Sequence, residues 1–87
     1  MTNREPGLSG EITSRVDTRR DAARAAQARA DKARERALAA RAAAERATTE
    51  YARRTHHRVA DLHAWTAASQ EDCARTLRFD ARDAERD

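Results

Sequence analysis

The sequence is short both of residues that end helices and of residues that fill cores. Its 87 residues include two glycines and one proline, all at or before Gly10. From residue 11 onward the chain therefore lacks the strongest turn-forming residues. One Trp, one Tyr and one Phe are the only aromatics, too few to build a sizeable core. Cys73 stands alone, so no intramolecular disulfide can form and an oxidising compartment is not implied. With Gly7 and Gly10 the only glycines, a glycine-rich phosphate loop is excluded. No apolar run approaches the ~18 residues of a membrane span, and the N-terminus lacks an apolar signal region. A cytoplasmic protein that makes no membrane contact is expected.

What the chain does have is alanine and charge. Between residues 22 and 47 alanine fills 14 of 26 positions, and alanine has the highest helix propensity of any residue. Placing Val16 at position a of a heptad puts Val16, Arg19, Ala23, Ala26, Ala30, Ala33, Ala37, Ala40, Ala44, Ala47 and Tyr51 at a and d. From Ala23 to Ala47 every site of that seam is alanine. Heptads sustained over this length are the signature of a helix that packs on another helix. Burying a methyl group contributes little, however. At about 0.8 kcal/mol per buried carbon, the eight seam alanines supply roughly 6 kcal/mol before conformational entropy opposes them.

Charge is unevenly distributed behind the net value of +3. Residues 15–60 carry thirteen Lys and Arg against six Asp and Glu, whereas residues 61–87 carry four against seven. The middle is basic and the tail acidic. Arg20, Arg34 and Arg41 fall at e and Arg15, Arg29 and Arg36 at g, so both edges of the seam are lined with guanidinium groups. A parallel in-register dimer would set Arg15 against Arg20, Arg29 against Arg34 and Arg36 against Arg41. Antiparallel pairing of the same segment again sets Arg against Arg. Edge charges select partner and orientation, so the segment is built against pairing with its own copy and calls for an acidic complement. That complement is expected in the acidic tail of the same or another chain, or on an acidic protein surface, giving a hetero- or head-to-tail assembly.

The expected fold is all-α. Residues 1–10 read as a flexible arm, 11–66 as one long basic helix and 67–87 as an acidic helical tail. Ser9, or Ser14 with Asp17, would cap the start, and a second capping pattern at Ser69–Asp72 marks a bend at 66–70. The alternative is an antiparallel hairpin turning near Thr49. It would set Val59 near Ala40, Leu62 near Ala37, Cys73 near Ala26 and Leu77 near Ala23, but no Gly, Asn, Asp or Pro marks the bend.

His56, His57, His63, Asp61 and Cys73 are the one cluster that resembles a reactive site. His57 and Asp61 are neighbours at i, i+4. His56 and His63, seven residues apart, stand roughly 10 Å apart along a helix, too far for one ion. No metal or other cofactor is expected, and no enzymatic activity, because a helix so poor in bulky residues cannot enclose a reaction. The expected function is that of a small interaction or assembly protein. Its binding surface is Arg15, Arg20, Ala23, Ala26, Arg29, Ala30, Ala33, Arg34, Arg36, Ala37, Ala40 and Arg41, docked on an acidic partner. Nonspecific nucleic-acid binding through the basic segment 15–58 is the alternative; against it, no aromatic lies within residues 15–47 to stack on a base.

Overall fold

The computed structural model describes the backbone of residues 4–86. Two helices make up the fold, α1 over Arg4–Arg46 and α2 over Glu50–Arg86, and among the described residues there is no strand. The two helices pack along their length as an antiparallel hairpin, a rod with extents of 73 × 20 × 13 Å. The hairpin reading, and not the uninterrupted helix, is therefore the architecture. No bend occurs at 66–70, where α2 runs straight through Ser69 and Asp72. At the other end α1 begins at Arg4, ahead of the expected start between Ser9 and Ser14, while residues 1–3 lie outside the described residues. Pro6 is accommodated because its missing N–H falls in the first turn, where amides have no helical acceptor.

The turn is made without the residues that usually mark one. Among the described residues the backbone nowhere enters the left-handed region, so no position demands glycine or asparagine. Instead, side chains satisfy the exposed helix ends. Thr49 is the N-cap of α2: its hydroxyl accepts from the Ala52 amide at 3.1 Å, and its carbonyl accepts from the Arg53 amide at 3.0 Å. Glu50 puts negative charge at the positive end of the helix dipole. α1 tightens at its last turn, where the Ala47 amide donates to the Ala44 carbonyl at 3.2 Å, and Arg53 donates to the Ala47 carbonyl at 3.4 Å. Arg53 also pairs with Glu50 at 2.7 Å, which ties the capping groups together.

The core is a strip of methyl groups. Val16, Ala23, Ala26, Ala30, Ala33, Ala37, Ala40 and Ala44 are buried on α1, and Ala60, Ala67, Ala74 and Ala81 on α2. The α2 alanines recur every seven residues. With half-buried His56, His63, Gln70 and Leu77 they form a second 4-3-4-3 seam that meets the first. The expected antiparallel pairing holds, although only Arg29–Gln70 keeps the offset of Val59 to Ala40, while Arg20–Glu85, Gln27–Arg78 and Arg34–Glu71 fall six residues further along α2. The face of α2 does not. Val59, Leu62 and Cys73 are exposed outside the seam, Thr66 borders the groove between the helices, and of the residues expected in the seam only Leu77 is half-buried there.

Candidate functional site

All six alanines expected to bind a partner, Ala23, Ala26, Ala30, Ala33, Ala37 and Ala40, lie in the seam against α2, none more than 8% exposed. The six arginines flanking them stand on the surface along the two edges of the hairpin. These edges differ. On one, Arg20 pairs with Glu85 and Arg34 with Glu71, and between them Arg78 donates to Gln27 at 3.3 Å. Each step is seven residues on both helices, so the contacts repeat with the heptad and record its register. The Glu71 carboxylate accepts a hydrogen bond from Arg34 and, with its charge, raises the guanidinium above its ordinary pKa. The acidic complement that the Arg-lined seam calls for is thus present in the chain's own C-terminal half.

The other edge is open. Arg29 donates to Gln70 at 3.1 Å, but Arg15, Lys32 and Arg36 form no ion pair among the described residues. Arg29, Lys32 and Arg36 line a shallow groove between the helices, opposite His63, Thr66 and Gln70. Next to this groove lies the outer face of α2, which exposes several large apolar side chains. Leu62 is 64% and Trp65 70% exposed, with Val59 beside them. Thr55 and Thr66 belong to the same strip, and their hydroxyls donate to the Tyr51 and Leu62 carbonyls at 2.9 and 3.0 Å. The helix itself satisfies these polar groups, which reduces what they require from water.

The reading from sequence grouped Val59, Leu62 and Cys73 but turned them inward, because large apolar residues were expected to fill space against small ones. The signal that separates the two faces is volume. A seam already made of alanine on α1 closes most tightly on alanine from α2, and Ala60, Ala67, Ala74 and Ala81 supply it at strict sevenfold spacing. Leu62 and Trp65 between the helices would hold them apart and strip the other alanines of their contacts.

His56 and His63 sit half-buried in the α2 seam, His57 is exposed, and Cys73 is a free exposed thiol. Among the described residues no three His, Cys, Asp or Glu side chains come together as a metal site. No described helix is long and apolar enough to cross a membrane. The chain matches no family model, and no curated protein or solved structure is similar to it.

Proposed function

We propose that the chain is a non-catalytic helical interaction protein, a two-helix rod that closes its Arg-flanked alanine seam on its own acidic half and docks a protein partner on the outer face of α2. One observation carries this reading: of the six large apolar residues exposed among the described residues, five, including Leu62 and Trp65, lie on α2 and only Leu38 on α1. Isolated apolar residues on a surface need no explanation, but a grouped strip rimmed by polar residues is the usual mark of a binding face. Exposed Trp is also the residue type most enriched among those that dominate binding energy. The neighbouring Arg29, Lys32 and Arg36 favour a partner, or a part of one, with acidic groups beside its apolar contact.

The test compares the immobilised chain with a Leu62→Glu, Trp65→Glu double variant in a nuclease-treated extract of the source cells. Both substituted positions face away from the seam, so circular dichroism is expected to show the same helix content for the two proteins. Proteins retained by the natural chain and lost from the variant support the reading. Identical retention by both columns contradicts it. Retention that depends instead on nucleic acid surviving in the extract would assign the basic edge to nucleic-acid binding.

A further inference from the structure

The outer face of α2 carries a pattern that its exposure alone does not explain. Residues Tyr51, Arg58, Trp65, Asp72 and Phe79 recur every seven positions and form one column along the exposed side of the helix. Read from either end the column has the same order: aromatic, charge, Trp, opposite charge, aromatic. Beside it, Thr55, Val59, Leu62, Thr66, Ser69 and Cys73 follow the 4-3-4-3 spacing of a helix-packing seam, without a single charge in a chain that is 38% charged. α2 thus has two seams, one facing α1 and one facing solvent.

We propose that the second seam binds a second copy of the chain, α2 against α2 in antiparallel orientation, about a twofold axis passing Trp65. This deepens the interaction reading above and rests on it. When two identical helices pack antiparallel, each flanking column meets its own copy reversed, so a closed twofold interface requires a column that complements its own reversal. Centred on Trp65, Arg58 faces Asp72 of the second copy, Asp72 faces its Arg58, Tyr51 faces its Phe79, and the two Trp65 rings meet at the axis. Parallel in-register pairing would instead oppose Arg58 to Arg58 and Asp72 to Asp72. Sliding by one heptad sets each of these charges against an aromatic ring and breaks both pairs. Only one arrangement satisfies the column.

The charges are available for it. Arg58 has no hydrogen bond or ion pair among the described residues, and Asp72 is held only by exposed Arg75 at 3.0 Å on its own helix, the weak kind of surface pair that exchanges readily. Tyr51 to Phe79 spans about 42 Å of helix, and a helix is about 10 Å wide. The strip on each copy is therefore about 400 Å² and the interface about 800 Å² in total, below the roughly 1,000 Å² of stable association and in the range of weak, reversible contacts. A dimer that forms in the micromolar range is expected, leaving the α1–α2 seam of each copy intact.

Charge reversal tests this directly, with the full chain studied by sedimentation from about 5 to 500 µM and the emission of its single Trp followed in parallel. The natural chain is expected to dimerise and to shift its Trp65 emission to shorter wavelength as concentration rises. Arg58→Glu and Asp72→Arg, each alone, weaken the dimer about tenfold, since each replaces two attractive contacts with two repulsive ones. An equimolar mixture of the two variants restores association. In the mixed dimer the carboxylate introduced at position 58 of one chain faces the guanidinium introduced at position 72 of the other, while natural Asp72 and Arg58 pair across the second contact. Because each single variant serves as its own folding control in the mixture, a failure to fold cannot imitate this result. A monomer at every concentration overturns the proposal, as does a dimer whose variants do not rescue each other. If the chain is monomeric yet its retention of extract proteins still depends on Leu62 and Trp65, the second copy is the wrong occupant and the interaction reading stands.

Discussion

At the residue scale, alanine decides how closely the two helices approach, and threonine decides where one ends and the next begins. Thr48 and Thr49 read from sequence as two β-branched residues that slightly disfavour a helix. In the structure Thr49 does more, because its hydroxyl takes the Ala52 amide and fixes the start of α2. From sequence, the absence of Gly, Asn, Asp or Pro near Thr49 argued against a bend there. That argument failed for a definite reason: α1 ends without a left-handed residue, so the bend has no use for glycine. Thr49→Ala leaves an amide at the helix start without its acceptor and is expected to cost about 1 kcal/mol. A shift of the urea midpoint, with helix content retained, checks this, whereas Thr49→Ser should remain near the natural value.

At the element scale, the two seams explain what could be read and what could not. The α1 seam was legible because alanine stands at every a and d site from Ala23 to Ala47, with arginine at both edges. The α2 seam was not, because only its a sites are alanine, while His56, His63, Gln70 and Leu77 occupy d and dilute the apolar signal. The exposed strip on the same helix contains the larger residues and draws attention away from it. Packing resolves the ambiguity, since methyl against methyl brings the helices to closest approach, while the longer His56, His63, Gln70 and Leu77 side chains are only half-buried. Ala33→Leu, which adds three carbons at a site 3% exposed, is therefore expected to destabilise the hairpin by about 1–3 kcal/mol although leucine is a good helix former. Ala28→Leu, on the exposed side of the same helix, is the control and should leave the thermal midpoint within a degree or two.

At the scale of the whole molecule, the charge split and the fold have one cause. A basic alanine segment that repels its copy, joined to an acidic segment with a matching seam, has its complement tethered at high effective concentration. The Arg20–Glu85 pair toward the open end of the hairpin and the Arg34–Glu71 pair near its middle show the acidic half filling that place. The chain's own fold therefore accounts for most of the binding surface expected from sequence, and what is left for others is the outer face of α2 and the open basic edge. The most direct test is the distance between spin labels at Asp17→Cys and Asp83→Cys in a Cys73→Ser background, measured in excess unlabelled chain so that only pairs within one molecule report. The hairpin predicts a separation of about 20 Å, two helix diameters. A separation approaching the ~100 Å of 66 residues of continuous helix, or a short distance lost on dilution with unlabelled chain, would contradict closure of the seam within one molecule.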